Sequence, residues 1–316
     1  MMNNLSLDVS VIMPMKNAEP YVYDAINSVL KQSFKNFELI VVDDGSTDTS
    51  REIAESFLDA RVKVIAGPKT GAAGAFNVAL NIAKGKYIAN CDADDLYPED
   101  RLAWQVSYLE VNKACDAVCG TYSTMDSNGV VISQFNCGKE PDNISHELVT
   151  GKTRTSFCTF LTRREVLVGV EGCRGFFVTS QDIDLQFRIG ECHNVCYEPR
   201  NSYFYRLHDS SITHTQAKNR RVFFEETARL FLQQRLENGA DDLQRGEPPN
   251  IPAFEGLPSG SQEQISGMLT SEAWRLHLKG EKLQAIKVGG RICMNMPLSF
   301  ASWRNLMVLI FKIKKD

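Results

Sequence analysis

Four short apolar runs, three of them closed by a polar or acidic group, constrain this chain more than any other feature. Val9-Ser10-Val11-Ile12-Met13 stops at Pro14-Met15-Lys16-Asn17, and Glu38-Leu39-Ile40-Val41-Val42 stops at Asp43-Asp44-Gly45-Ser46. Val62-Lys63-Val64-Ile65 follows, then Lys86-Tyr87-Ile88-Ala89-Asn90-Cys91, closed by Asp92-Ala93-Asp94-Asp95. Between the runs the apolar residues fall at helical spacing: Tyr23, Ile26, Val29 and Leu30; Ile53 and Phe57 behind a capping box at Thr49-Ser50-Arg51-Glu52; then Ala72 to Ala83, and Glu99 to Val111. Strands that are apolar without alternation are buried on both faces. Strands that alternate with helices join as right-handed crossovers. The first hundred residues are therefore expected to form an α/β layer with a parallel sheet.

Past Asp116 the pattern changes. Asp126-Ser127-Asn128-Gly129 reads as the turn of a hairpin between Val118–Met125 and Val130–Phe135. Ser156–Thr162 and Val195–Tyr197 read as short strands, and Asp182–Ile189 as a helix. From Ala217 the chain reads as helices: Lys218–Glu237 stopped by Gly239, a Pro/Gly-rich linker from Arg245 to Gly260, Ser261–Met294 broken near Gly280, and a last segment after Pro297. The expected division is a catalytic domain over 1–216 and a helical extension over 217–316.

Composition narrows the class. Of 316 residues, 43% are hydrophobic, enough for a sizeable core, and the net charge of −4 does not suit a nucleic-acid binder. That small total conceals a net of −8 up to Gln216 and of +4 beyond it. No basic start with a long apolar run opens the chain and no run approaches a membrane span, so a cytoplasmic location is expected. Nine cysteines with no secretion signal are expected to be reduced, buried thiols. Cys115/Cys119 and Cys192/Cys196 have three residues between them, not the two typical of zinc ribbons.

In an open α/β sheet, ligands bind beyond the carboxyl ends of the strands. Five carboxylates (Asp43, Asp44, Asp92, Asp94 and Asp95) collect at that edge here. Such crowding asks for a cation with oxygen ligands, and Mg²⁺ or Mn²⁺ takes one or two carboxylates plus phosphate oxygens. The simpler reading makes these aspartates turn formers and helix caps.

The blocks Val9–Pro14, Glu38–Asp48 and Gly85–Asp95 together resemble the signature of glycosyltransferase family 2, and the resemblance covers about residues 8–212. It implies the GT-A nucleotide-diphospho-sugar transferase fold, a mainly parallel Rossmann-like sheet flanked by helices. It also implies transfer of a sugar from a nucleotide-activated donor, usually a UDP-sugar, with inversion. The acceptor would be a hydroxyl on a glycan, polysaccharide or lipid-linked acceptor. Carried over by position, Asp44 would bind the donor base and Pro14 would begin the loop along the nucleoside, with Lys16, Asn17 and Asn77 also on the donor. Asp92-Ala93-Asp94 matches the DXD motif. Asp92 would reach the ribose or a metal-bound water, and Asp94, with Asp95 beside it, the divalent cation. Asp182 would be the catalytic base, with Asp184 as its rival. Arg206 and His208, in Tyr205–Ser211, would face the diphosphate, and His208 could also ligate the ion.

Three positions depart from the family pattern. Lys16 stands where an aromatic often stacks on the base, Phe76 where an arginine often precedes Asn77, and Gln181 where an acid usually precedes Asp182. A nucleotide-sugar-binding scaffold without catalysis is the alternative reading. A sugar nucleotidyltransferase is a lesser one, since the loop after the first strand is not glycine-rich.

The tail carries no evident chemistry. Residues 297–315 combine Trp303 and Phe311 with Lys312, Lys314 and Lys315, which suits peripheral contact with the inner face of a membrane. The plainer reading packs this helix on the catalytic domain or on a partner subunit of a homo-oligomer.

Overall fold

The computed structural model describes residues 7–135, 137–211, 218–254 and 261–311. The chain divides into two compact units: Met1–Tyr122 with Asn136–Tyr205 and Arg221–Ala253, and Ser123–Phe135 with Arg206–Arg220 and Phe254–Asp316. Sequence placed a single cut after 216. That point lies outside the described residues, and the contacts divide the chain in an interleaved way instead, with 221–253 grouped with the sheet.

The first unit is built on β1 (Val9–Met15), β2 (Phe37–Asp43), β3 (Val62–Ala66) and β4 (Tyr87–Asn90). β1 pairs in parallel with both β2 and β4, and β2 with β3. Alternate residues of the same strands enter opposite cores. Val9, Val11, Met13, Leu39 and Val41 pack on one side, and Ile12, Ile40 and Val42 on the other. α1 (Val22–Leu30), α2 (Ser50–Glu55) and α4 (Arg101–Val111) cover the first side. α3 (Ala72–Ile82), α6 (Arg164–Gly169) and α7 (Gln181–Cys192) cover the second. This two-sided burial is why the strands read as unbroken apolar runs.

Beyond β4 the sheet turns antiparallel. β8 (Leu161–Arg163) pairs antiparallel with β4 and with β5 (Ala117–Met125). β9 (Val195–Arg206) and the two-residue β7 (Asp142–Asn143) complete the order β3-β2-β1-β4-β8-β5-β9-β7. The mixed α/β architecture is as expected, but Ser156–Thr162 is not one strand. Phe157–Thr159 is a 3-10 turn, and only the residues from Leu161 enter the sheet. β9 is also far longer than the three residues the sequence suggested. The capping box at Thr49 does not form. Thr49 makes no side-chain cap bond, and the Asp48 carboxylate takes the Ser50 N–H at 3.1 Å.

In the second unit, β6 (Val131–Gln134) pairs with the end of β5 across the expected hairpin turn. α9 (Ser261–Leu278), α10 (Lys282–Asn295) and α11 (Phe300–Phe311) form an up-down set. Gly280, at a φ of +87°, breaks α9 from α10 where the sequence placed the break. α5 (Ser145–Leu148) and residues 221–238 of α8 (Lys218–Asn238) belong to the first unit. All nine cysteines are free thiols, although Cys192 is exposed and Cys137 and Cys196 are half-buried rather than buried. No helix among the described residues is long and apolar enough to cross a membrane.

Candidate active site

Strand order places the site. The chain adds β2 and β3 on one side of β1 and β4 on the other, so a crevice opens beyond the carboxyl ends of β1 and β4. Three loops leave the sheet there, and their polar residues tie them together. After β1, Asn17 takes a left-handed backbone (φ +51°), accepts the Thr47 N–H on Oδ1 at 2.8 Å and donates its own N–H to Ser46 Oγ at 3.0 Å. After β2, Asp43 caps the turn by accepting the Ser46 N–H at 2.9 Å.

Asp44 is buried and accepts the N–H groups of Lys69 and Gly71, one on each carboxylate oxygen, both at 2.7 Å. The carboxylate thus shapes the 67–71 loop while each oxygen keeps a further lone pair for a ligand. Gly67 is forced by this arrangement. A Cβ there would lie 2.8 Å from Asp44 Oδ1 and 3.0 Å from its Cα. Asn17, Lys69 and Ser180 are three of the four described non-glycine residues with positive φ, and all three sit in these loops or immediately before α7. Strained backbone held by its surroundings is common at functional sites.

β4 delivers the acidic triplet. The Asp92 N–H donates to Tyr203 Oη at 2.9 Å, and Asn90 Nδ2 donates to Asp92 Oδ1 at 3.0 Å. Tyr97 Oη closes the turn on the Asn90 carbonyl at 2.6 Å. Asp92 and Asp94 are half-buried, whereas Asp95 is fully buried beneath them. Burial first, and then the adjacent Asp94 charge, push the Asp92 carboxyl up to about 7, with Asp182 adding to the push. The Asn90 amide and the buried Arg101 guanidinium pull the other way. Arg101 is fully enclosed, lies 3.8 Å from the Tyr97 ring centroid and donates to the Cys158 and Phe160 carbonyls.

Asp182 is the second residue of α7, after Ser180 as N-cap, so it is not itself the cap. Burial raises its pKa, against the pull of the N–H groups at the helix start. The α7 start and the β4 end both belong to the first unit, and the Asp182 charge adds to the push on Asp92. Asp184, the rival, is fully buried and held by Arg174 and by Arg188 at 2.9 Å. It faces two arginines, not open space, and is corrected here to an anchoring residue.

Other expected residues have mixed placements. Pro14 lies in β1 in register with Val42, and Lys16 is exposed just past the strand. Asn77 sits in α3, but its amide holds the Cys173 backbone at both ends, by bonds of 2.7 and 2.9 Å. Arg206 and His208 belong to the second unit. There Arg206 donates to the Ser127 carbonyl at 2.9 Å and His208 Nδ1 lies 2.8 Å from Ser210 Oγ. Tyr203, Asn90 and Arg101 were missed. Tyr203 and Asn90 act on Asp92 by hydrogen bonds and Arg101 by charge. An arginine among the apolar positions of the Glu99–Val111 helix was the one signal available.

Among the described residues no three His, Cys, Asp or Glu side chains form a ready metal cage. Two half-buried carboxylates side by side, one reluctant to ionise, form a donor set short of positive charge. A divalent cation that takes one or two carboxylates and fills its shell from water and phosphate fits it.

Residues 10–179 match the family described as "Glycosyl transferase family 2". Among curated relatives, the Escherichia coli "UDP-Glc:alpha-D-GlcNAc-diphosphoundecaprenol beta-1,3-glucosyltransferase WfgD" is 40% identical over 124 residues, 39% of this chain and 49% of that protein. The "Putative teichuronic acid biosynthesis glycosyltransferase TuaG" of Bacillus subtilis (strain 168) is 34% identical over 167 residues, 52% of this chain and 65% of that protein. The matched stretch therefore spans about half to two thirds of these relatives. The S. aureus TarS 1-349 structure in complex with UDP-GlcNAc superposes with a TM-score of 0.62 at 16% identity, covering 96% of this chain and 87% of that one, a likeness of fold.

Proposed function

The chain belongs to glycosyl transferase family 2, and on that footing we propose that it moves a sugar from a nucleotide-diphosphate donor, a UDP-sugar, to an acceptor hydroxyl with inversion. The observation that carries the reading is the placement of Asp92 and Asp94 just past the carboxyl end of β4, beside β1 in the sheet, within the stretch that matches the family. Inversion needs charge neutralised at the leaving diphosphate and a base on the opposite face of the sugar. The β4 end and the α7 start supply one each. A relative named for UDP-Glc and a diphosphoundecaprenol acceptor, and a fold neighbour crystallised with UDP-GlcNAc, support a uridine donor and a lipid-linked acceptor.

In this mechanism Asp44 uses its free lone pairs on the donor base while holding the 67–71 loop against it. Pro14, Lys16 and Asn17 line the nucleoside side. Asp92 and Asp94, with Asp95 beneath, would hold Mn²⁺ or Mg²⁺, which when bound offsets the negative charge that develops on the diphosphate. Asp182 takes the acceptor hydroxyl proton as the new C–O bond forms at the anomeric carbon and the bond to the diphosphate breaks. Asn77, spent on Cys173, is left out of donor binding.

The test is thermal. UDP with Mn²⁺ is expected to raise the melting temperature, since a ligand at a hundredfold excess over its Kd adds about 2.7 kcal/mol. Asp94→Ala should remove the Mn²⁺-dependent part. Absence of any shift with uridine, guanosine or thymidine diphosphate overturns the proposal. Gly67→Ala gives a second measurement. Its Cβ displaces Asp44, and kcat/KM for the donor should fall about 10²-fold with the fold intact. An unchanged donor kcat/KM would remove Asp44 from the site.

A further inference from the structure

α11 is amphipathic, and its apolar stripe faces outward. Leu309 and the small Ser302 turn inward, with Leu306 and Leu309 set against Gly289 of α10. The opposite face carries Phe300, Trp303, Met307 and Phe311, at relative exposures of 81%, 49%, 51% and 71%, with Leu298 just ahead of the helix at 99%. These positions recur at three- and four-residue steps, so they form one stripe. The Trp303 indole N–H is already satisfied by the Pro297 carbonyl at 2.9 Å, so the ring is held outward without an unmet polar group.

Along the sequence that carries the stripe the charge has one sign. Between Glu281 and Asp316 the sequence holds seven Lys and Arg and no Asp or Glu. Arg291 is spent on Asp126, but Lys282, Lys287 and Arg304 are exposed. Lys312, Lys314 and Lys315 follow in the sequence, outside the described residues.

We infer that this face seats on an anionic lipid surface. Large apolar side chains enter the boundary between headgroups and acyl chains, and the flanking cations meet the headgroup phosphates. At about 1.5 Å per residue, the helix is too short to span a bilayer, so it lies in the plane. A second copy of the chain fits less well. A twofold contact would set this patch against itself and oppose like charges.

The experiment is co-sedimentation of the full chain with vesicles of mixed phosphatidylcholine and phosphatidylglycerol, and with pure phosphatidylcholine vesicles. No donor or acceptor is present, so failure here leaves the transferase reading intact. Binding is expected to the mixed vesicles only, to weaken with salt, and to fall at least about tenfold in Phe300→Ser/Met307→Ser/Phe311→Ser. The replaced side chains are exposed, so the melting temperature should not change, and circular dichroism checks that the variant is folded. Equal binding to both vesicle types, or a folded triple variant that binds like the parent, overturns the inference. So does a dimer in sedimentation equilibrium that the same variant dissolves while no vesicle binding is seen.

Discussion

Asp182→Asn is expected to abolish sugar transfer while leaving the donor bound. Loss of a positioned base is typically worth about 10²–10⁴-fold in rate, so kcat should fall by that amount with the donor KM little changed. The half-buried carboxylate is reluctant to ionise because the site partly desolvates it. The unaltered enzyme should therefore lose activity as pH falls through a pKa above the ordinary 3.8, since only the ionised form accepts the acceptor's proton. In Asp182→Asn that acid limb should vanish from the residual rate. Steady-state kinetics across pH with a UDP-sugar checks both points. A variant that runs at full rate with the limb intact moves the base elsewhere in the crevice.

The strand-end aspartates were legible because two physical signals coincide there. β1, β2 and β4 are buried on both faces and so read as apolar runs, and each is followed at once by the polar residues that such a sheet presents to a ligand. Of the antiparallel half only the β5–β6 hairpin was legible. β8 has only three residues, and its place between β4 and β5 is set by pairing partners far away in sequence. The role of Asp184 was hidden for the same reason. Nothing in Gln181-Asp182-Ile183-Asp184 says which acid faces the crevice. The answer depends on Arg174, in the loop before α7, and on Asp241, past α8, arriving beside it. Asn77 misled in the opposite direction. The family resemblance put it on the donor, yet its partner is a backbone nearly a hundred residues on.

The other large effect falls on stability. Asp184 and Asp241 are both fully buried, and Arg174 bridges them, donating to Asp241 Oδ2 at 2.6 Å while also pairing with Asp184. Arg188 meets Asp184 one turn along α7, and Arg235 of α8 pairs with Asp241 and with Glu191 at 2.5 Å. Three arginines are thus balanced by three carboxylates. Removing Asp184 leaves Arg188 without its carboxylate and three arginines facing two carboxylates, a loss of about 3–5 kcal/mol. Asp184→Asn should accordingly lower the melting temperature by about 10 °C.

The same change at Asp182 should do the reverse. Ionising a carboxyl whose pKa is higher in the folded chain than in the unfolded one opposes folding. The penalty is absent below the unfolded value and complete above the folded one. At neutral pH an uncharged amide in place of the Asp182 carboxylate relieves it, so Asp182→Asn should melt no lower than the parent. Calorimetry of the two variants beside their kcat separates the roles. A catalytically dead but thermally unchanged Asp184→Asn would return the base to Asp184. A fold loosened by Asp184→Asn, and left intact by Asp182→Asn, assigns one acid of this helix to the reaction and the other to the ion-pair network that holds the helix.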